Sequence, residues 1–280
     1  MRIDEQLKGA YERLTFVSDT AKLDAQLLLA HVLGVTSAYF YTWPDKVLTS
    51  EQIDAFERLL IRREQGEPIA YILQQQAFWT LDLEVAQCTL IPRADTERLV
   101  EVALALMLPE KAYRILDLGT GTGAIALALA SESPKSSVTG IDFNQDAVAL
   151  AKRNALRNRL DVEFLQSSWF EQLAPCHEFN LIVSNPPYID PNDEHLAQGD
   201  VRFEPKSALV SAEQGLADIL HIIAAAPNYL AESGYLVFEH GYDQAEAVRA
   251  AFLDKGYSDV KTYQDLAGND RVTQGRKAGN

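Results

Sequence analysis

The chain has 280 residues, of which 47% are hydrophobic and 23% are charged, as in ordinary globular proteins. Lysine and arginine total 25 against 40 aspartate and glutamate residues, so the formal net charge is −15. This balance argues against binding nucleic acid or anionic lipid through bulk charge, because such binding needs a basic surface. At ~150 residues per domain, the length suggests about two domains.

The cysteine content and the hydropathy pattern bear on the compartment. Cys88 and Cys176 are the two cysteines, too few for a disulfide framework or a cysteine-rich zinc site. The first residues lack the apolar segment of a secretion signal. The uncharged stretch 26–44 contains too many polar residues for a membrane span. We therefore expect a cytoplasmic protein with no metal site and no membrane partner.

Residues 1–73 predict a small helical domain. Apolar residues recur there at helical spacing in three segments. Thr49 and Gln52 fit a capping box ahead of the third segment, and Gly66-Glu67-Pro68 ends it. Because no cluster of titratable residues in this region suggests chemistry, we expect it to serve recognition rather than catalysis.

The rest of the chain predicts a linker and an α/β domain. Residues 74–92 read as a β-hairpin linker, with Phe78, Trp79 and the alternating stretch 81–85 as its candidate strands. In residues 93–280, short apolar runs alternate with alanine-rich helices, which is typical of a doubly wound domain with a parallel sheet. The candidate strands are 115–116, 138–141, 162–165, 181–183 and 236–238, and the clearest helices are 123–130 and 145–158.

A glycine-rich turn follows the first of these strands and opens a helix. Its residues are Asp117, Leu118, Gly119, Thr120, Gly121, Thr122, Gly123 and Ala124. Glycines permit a tight turn and the close approach of a ligand to free backbone amides at the start of a helix. The pattern also satisfies the dinucleotide fingerprint, so it predicts a nucleoside cofactor at Gly119 to Gly123 without choosing between NAD and S-adenosylmethionine.

Asp142 closes the second strand, roughly 20 residues after the glycines. A carboxylate at this position accepts hydrogen bonds from both hydroxyls of a ribose. The alternatives are a solvated aspartate at a strand end and a cap for the following helix. The agreement of its position with the glycine turn favours the cofactor role.

The stretch Asn185-Pro186-Pro187-Tyr188 directly follows the fourth strand. Ligands of open α/β sheets bind beyond the carboxyl ends of the strands, so this stretch is expected to face the cofactor cleft. The prolines fix a rigid turn whose carbonyls are acceptors, and the Asn185 side chain adds another acceptor. Tyr188 offers a flat face to a planar group. Together they predict a site for a planar –NH₂ group.

These motifs resemble the PrmC/HemK family, the N5-glutamine methyltransferases that modify peptide chain release factors. The resemblance covers nearly the whole chain and includes 24–34, 66–72, 91–97, the glycine-rich turn, 185–188, 202–205 and 239–241. It implies an N-terminal helical bundle over 1–73, a hairpin linker over 74–92, and a seven-stranded class I S-adenosylmethionine-dependent methyltransferase domain with a Rossmann-like doubly wound sheet over 93–280.

The resemblance also implies the roles of the site residues. S-adenosylmethionine, which leaves as S-adenosylhomocysteine, is held by Gly119, Thr120, Gly121, Thr122, Gly123, Asp142 and Asn185, with Trp169 flanking the adenine. The substrate is the glutamine of the Gly-Gly-Gln motif in class I release factors, bound by Asn185, Pro186, Pro187 and Tyr188. Asn185 and Tyr188 are the implied catalytic residues. Two departures are Ser168, where aspartate is frequent before the tryptophan, and Ala94, where a second proline is usual.

Two rival functions remain open from the residues alone. An N6-adenine nucleic-acid methyltransferase also acts on a planar –NH₂ group, but the net charge of −15 weighs against that function. A binding module that only retains S-adenosylmethionine is the non-enzymatic alternative. The intact stretch 185–188 disfavours it, because a binder needs no site that orients an amide.

Overall fold

The helices predicted from the spacing of apolar residues in the first part of the chain are confirmed. The computed structural model describes residues 1–279. The helices of this part are α1 (Ile3–Leu14), α2 (Ala21–Leu33), α3 (Ala38–Thr42), α4 (Ser50–Glu64) and α5 (Ile69–Leu73). Gly34 ends α2 in the left-handed conformation, at φ 63°. Thr49 and Gln52 form the expected capping box of α4, with Gln52 N donating to Thr49 Oγ1 over 3.3 Å.

One compact unit consists of residues 1–75 together with residues 195–203. Fully buried apolar side chains such as Leu28, Phe56 and Leu60 form its core. The packing of residues 195–203 with this unit was not predicted, because nothing in their composition distinguishes them from an ordinary loop. The predicted domain boundaries after residues 73 and 92 stay predictions.

A buried ion pair lies inside this unit. Arg63 Nε donates to Asp24 Oδ2 over 2.7 Å, and the two side chains are 7% and 5% exposed. Ser18 and Thr20 also donate hydroxyl hydrogen bonds to the Asp24 carboxylate. Arg63 reaches Asp200 at 3.2 Å, which ties the second segment of the unit to α4. No local sequence pattern indicates this pair, because 39 residues separate its two charges.

The other compact unit contains residues 76–194 and the residues from 204 onward. Strands β1 (Gln75–Phe78) and β2 (Leu81–Glu84) pair as a two-stranded sheet. The following elements are α6 (Glu97–Ala105), β3 (Arg114–Leu118), α7 (Ala124–Glu132), β4 (Ser137–Asp142), α8 (Gln145–Asn158), β5 (Glu163–Gln166), β6 (Phe179–Ser184), α9 (Ala212–Gly215), α10 (Ala217–Ala225), β7 (Leu230–Glu239), α11 (Ala245–Asp254), β8 (Ser258–Gln264) and β9 (Asp270–Arg276).

Within residues 1–279, the large sheet has seven strands in the order β5-β4-β3-β6-β7-β9-β8. Strands β3 to β7 pair in parallel, and β9 pairs antiparallel with both β7 and β8. The chain moves outward from β3 in one direction through β4 and β5, and then returns to the other side of β3 with β6. Ligands of open α/β sheets bind at such a reversal of strand order.

Apolar side chains cover both faces of this sheet, as the short apolar runs predict. On adjacent strands, Ile115 and Val183 point to one core cluster, whereas Leu116 and Ile182 point to the other. The prediction of a buried strand is wrong for β5. This strand lies at the edge of the sheet, and Phe164 is its one buried residue.

Further structural findings concern membranes and metals. Over residues 1–279, no helix combines the length and the apolar character needed to cross a membrane. Across the same range, no group of three or more His, Cys, Asp or Glu side chains is arranged to hold a metal ion. Cys88 and Cys176 are free thiols.

The buried ion pair predicts a large effect of its removal. Arg63→Met leaves the Asp24 carboxylate buried without its cation, so we expect the free energy of unfolding to fall by about 3–5 kcal/mol. Arg58→Met, on an exposed position of the same helix, is the matched control and is expected to change it by less than about 0.5 kcal/mol. Urea unfolding followed by circular dichroism measures both, and equal losses in the two variants would contradict the prediction.

Candidate active site

A cavity opens at the carboxyl ends of β3, β4 and β6. Its empty space is about 1130 Å³, including the mouth open to solvent. Of the predicted cofactor residues, the cavity wall contains Gly119, Thr120, Gly121, Thr122, Asp142, Trp169 and Asn185. The fold therefore brings together residues from four separate stretches of the sequence. Gly123 is the predicted cofactor residue outside the wall.

The glycine turn has the backbone conformation that its sequence predicts. Gly119, Gly121 and Gly123 have φ values of 69°, 55° and 84°, in the left-handed region that favours glycine. A Cβ atom on Gly123 would lie 3.1 Å from Phe164 and 3.2 Å from Ala151. Gly123 thus permits close packing of α7 in the core, while Gly119 and Gly121 leave room for a ligand.

Asp142 is a buried acceptor in the cavity wall, and the structure decides against both alternatives raised from the sequence. It is 8% exposed and therefore not solvated, and the side chain of Asn144 caps α8 instead. Asp142 Oδ2 accepts from Gly121 N, and Oδ1 accepts from Asn144 N, each over 2.9 Å. Burial raises the pKa of this carboxyl. Each oxygen keeps accepting capacity for a ligand hydroxyl.

Trp169 lies beside the glycine turn. A Cβ atom on Gly119 would be 3.5 Å from the indole ring, so the ring and the turn form one continuous wall. The indole N–H donates to Asp218 Oδ1 over 3.2 Å. Asp218 and Ser168 also line the cavity. Asp218 was not predicted, because it is 49 residues from the tryptophan and in no recognised motif.

The stretch 185–188 divides between the cavity and the core. Asn185 and Pro187 line the cavity, whereas Pro186 is buried. Tyr188 is not among the lining residues, and its hydroxyl donates to Glu239 Oε1 over 3.0 Å. Burial raises the pKa of this phenol, with the nearby Glu239 charge adding to the shift. The expected flat face of Tyr188 towards a ligand is therefore not seen in this structure, because the ring packs against the core.

The Asn185 amide has a partner at one end. Its Nδ2 donates to Thr96 Oγ1 over 3.2 Å. Thr96 is buried and also lines the cavity. With Nδ2 engaged, Oδ1 is the end of the amide that serves as an acceptor for a ligand.

Residues 88–93 add a wall that the sequence analysis did not predict. Cys88, Thr89, Leu90, Pro92 and Arg93 line the cavity. Arg93 pairs with Glu204, whose side chain is fully buried. Glu204 Oε2 also accepts from Ile91 N over 3.3 Å. Both partners lie in stretches that carry the family resemblance, which is the signal that could have pointed to them.

Known proteins match the chain at the level of family models and of whole sequences. The PrmC N-terminal domain matches residues 5–73, and the methyltransferase small domain matches residues 100–203. The release factor glutamine methyltransferase of Vibrio cholerae is 56% identical over 279 residues, covering 98% of this chain and 96% of that protein. The one of Escherichia coli is 51% identical over 277 residues, covering 99% of each. The chain belongs to the release factor glutamine methyltransferase family.

Solved structures show the same fold at low sequence identity. A methyltransferase from Pyrococcus furiosus has a TM-score of 0.55 at 19% identity, covering 79% of this chain and 99% of that one. A 16S rRNA methyltransferase from T. thermophilus has a TM-score of 0.52 at 18% identity, covering 72% of this chain and 49% of that one. The predicted Rossmann-like sheet of seven strands with an N-terminal helical region is confirmed.

The chain is thus a methyltransferase that uses S-adenosylmethionine, and the cavity fits this cofactor chemically. Gly119 and Gly121 line the cavity with positive φ values, so the turn presents backbone rather than side chains to a ligand. Asp142 supplies acceptors for ribose hydroxyls, and Trp169 supplies an aromatic face for a base. These residues would hold the nucleoside, and the cofactor itself would supply an electrophilic methyl group.

Asp142 is expected to control cofactor affinity. Asp142→Ala removes acceptors for ribose hydroxyls and should weaken S-adenosylmethionine binding by ~1.5–3 kcal/mol. Asp146→Ala, an exposed carboxylate in the first turn of α8, removes the same charge without touching the wall and should leave affinity unchanged. Titration calorimetry compares the two, and parental affinity in Asp142→Ala would remove this residue from the site.

Asp117 predicts a pH dependence of stability. Burial raises the pKa of this carboxyl from 3.8 to about 7, although Thr120 and the Ala126 amide donate to Oδ2. A raised folded-state pKa adds stability that is complete below the unfolded value and is lost as pH rises through the folded value. From about pH 5 to about pH 8, the parent should therefore lose a few degrees of Tm relative to Asp117→Asn.

The control for this measurement is Asp161→Asn at an exposed position. Thermal unfolding of the three proteins at several pH values gives the comparison. The prediction fails if Asp117→Asn and Asp161→Asn show the same pH dependence as the parent.

Proposed function

We propose that the chain transfers a methyl group from S-adenosylmethionine to the side-chain amide nitrogen, N5, of the glutamine in the Gly-Gly-Gln motif of class I peptide chain release factors. The names of relatives that are 51–56% identical over nearly the full length support the release factor as substrate. The observation that carries the proposal concerns the side-chain amide of Asn185, the residue that directly follows β6. Its Nδ2 donates a hydrogen bond to Thr96 Oγ1.

An amide nitrogen is a poor nucleophile, because its lone pair is delocalised into the carbonyl. In the proposed site, Asn185 Oδ1 and the Pro186 carbonyl accept the two N–H bonds of the substrate amide. This pair of bonds fixes the plane of the –NH₂ group and aims the nitrogen at the cofactor. Positioning and electrostatic orientation are then the main sources of rate. A strong general base is not required, since the nitrogen loses a proton readily once it is alkylated.

The remaining expectations extend this proposal to partners and location. Residues 1–73 contain the segment matched by the PrmC N-terminal domain, and we assign to them the recognition of the release factor. The excess of acidic residues supports a protein partner rather than nucleic acid or a membrane. Free Cys88 and Cys176 are compatible with the cytoplasm, where we place the protein.

An N6-adenine nucleic-acid methyltransferase is not favoured. Its target amine fits the same pair of acceptors, so the hydrogen bonds of Asn185 do not decide between the two substrates. The full-length relatives carry the release factor name, and a net charge of −15 opposes the approach of a phosphate backbone.

Asn185→Ala tests the proposed chemistry. Loss of one preorganised hydrogen bond at the reacting nitrogen should lower kcat by roughly 10²–10³. S-adenosylmethionine affinity should fall much less, because the glycine turn and Asp142 hold the nucleoside. Single-turnover transfer to a release factor, with mass spectrometry of its Gly-Gly-Gln peptide, measures the rate.

Asn228→Ala, at an exposed position outside the cavity wall, is the control. DNA and RNA are offered to the parent in parallel reactions. A folded Asn185→Ala protein that works at the parental rate would refute the mechanism, and transfer to DNA or RNA instead of release factor would refute the substrate.

A further inference from the structure

A buried glutamine is hydrogen-bonded to the last residue of the stretch 185–188. Gln244 directly precedes α11, is 8% exposed and does not line the cavity. Its Oε1 accepts from Gly241 N over 2.9 Å. Its Nε2 donates to two backbone carbonyls, that of Tyr188 over 3.0 Å and that of Gln214 over 3.1 Å. One side chain therefore joins the segment after β6, the helix α9 and the loop after β7.

The partners of Gln244 leave its side-chain amide a single orientation. A backbone carbonyl only accepts a hydrogen bond, and a backbone N–H only donates one. The reversed amide would place its oxygen against two carbonyl oxygens and its –NH₂ group against an N–H donor. Because all three partners belong to the main chain, none of them adapts by rotating a hydroxyl or by changing protonation. Gln244 therefore holds these three segments in one fixed arrangement.

The backbone of α9 is shaped around the carbonyl of Tyr188. Glu213, Gln214 and Gly215 have φ values of 54°, 59° and 83°. This left-handed conformation is costly for residues other than glycine and persists where the surrounding structure enforces it. It brings the Gln214 carbonyl to Gln244 Nε2. A Cβ atom on Gly215 would lie 2.0 Å from the Tyr188 carbonyl oxygen, so glycine is the residue that leaves room for it.

The two prolines make this anchor important for the proposed amide site. Pro186 and Pro187 have no backbone N–H, so no donor of their own main chain holds the turn in place. The turn is held instead at its end, where the Tyr188 carbonyl accepts from Gln244. A shift of this carbonyl would move the Pro186 carbonyl and the Asn185 amide, which are the proposed acceptors of the substrate –NH₂ group.

We propose that Gln244 is a positioning residue for methyl transfer. By holding the Tyr188 carbonyl, it fixes the Asn185 amide and the Pro186 carbonyl where they receive the substrate amide. This inference rests on the proposed function and deepens it, because it adds a residue outside the cavity wall to the same reaction. The magnitude follows from geometry, since a misplacement of about 1 Å that originates far from the chemistry lowers a rate by ~10²-fold.

Gln244→Met tests this role. Methionine keeps the length of the side chain but removes all three hydrogen bonds, so the Tyr188 carbonyl loses its donor. In single-turnover reactions with release factor, we expect the rate to fall by about 10- to 100-fold. KM for the release factor should stay near the parental value. The affinity for S-adenosylmethionine, measured by titration calorimetry, should also stay near parental, because the glycine turn and Asp142 are untouched.

Gln274→Met is the matched control. Gln274 is a glutamine on β9 that is 5% exposed and lies outside the cavity wall. Its Oε1 accepts from the Tyr263 hydroxyl over 2.9 Å, and its Nε2 donates to Asp259 O over 3.4 Å. Since each substitution leaves buried groups without a partner, both should lower Tm. The rate should fall for Gln244→Met alone, whereas a purely structural role of Gln244 predicts the parental rate in both folded variants.

Gly215→Ala displaces the same carbonyl from the side of α9. Its Cβ atom would overlap the Tyr188 oxygen, so we expect the same loss of rate with unchanged affinity for S-adenosylmethionine. Gly256→Ala is its control, because Gly256 has a similar φ of 78° and no atom within 4 Å of the added Cβ. It should reproduce the backbone strain without the loss of rate. Should Gln244→Met fail to fold, this pair decides the question.

The double variant Asn185→Ala/Gln244→Met tests whether Gln244 acts through the turn. Two changes that act on the same turn are coupled, so the combined loss of rate should be smaller than the product of the two single losses. Independent effects would multiply. Losses that multiply would therefore overturn the positioning role.

The remaining outcomes separate this inference from the proposed function. A parent enzyme that does not methylate release factor overturns the proposed function. A parent that does so, with folded Gln244→Met or Gly215→Ala enzyme at the parental rate, overturns only the positioning role. A Gln274→Met enzyme as slow as Gln244→Met, or a loss of rate explained by weaker cofactor binding, overturns the positioning role as well.

Discussion

Burying a carboxylate at the end of a parallel strand constrains the loop that follows, and the candidate site depends on three such groups. Asp117 is the second-last residue of β3 and holds Thr120 and the start of α7. Asp142 ends β4 and holds the amides of Gly121 and Asn144. Glu239 ends β7 and holds Tyr188. Burial raises the pKa of all three, so each ionised form depends on the donors supplied by its neighbours.

The strand order explains why these loops meet. Because β4 and β6 flank β3 on opposite sides, the loops after the three strands cannot cover the same space and leave a crevice between them. The glycine turn and Asp142 occupy the β3 and β4 side, whereas Asn185 extends from β6. The sheet therefore places the proposed nucleoside contacts and the proposed amide contacts on different strands.

Local patterns predicted the parts of this site that are contiguous in sequence. The glycine turn and the parallel strands β3, β4, β6 and β7 each have a signal within about ten residues, and Asp142 is predicted from its spacing to the glycine turn. Thr96, Glu239 and Asp218 have none, because each acts on a partner that only the fold brings near. The orientation of Tyr188 was not predictable for a different reason: a motif shows that an aromatic ring is present but not whether it turns to the cavity or to the core. The buried pair of Arg63 and Asp24 was missed in the same way as Thr96.

In the proposed function, hydrogen bonding at Asn185 selects a planar –NH₂ group, and it cannot by itself select glutamine over adenine. The selection of glutamine over adenine therefore has to come from the molecule that carries the amine to the cavity. An adenine in nucleic acid arrives with a chain of phosphates. This protein has 40 acidic residues against 25 basic ones, so its net negative charge repels those phosphates. A glutamine on a protein loop carries no such charge. The amide site therefore supplies the chemistry, and the acidic composition of the chain limits which molecules present a suitable amine to it.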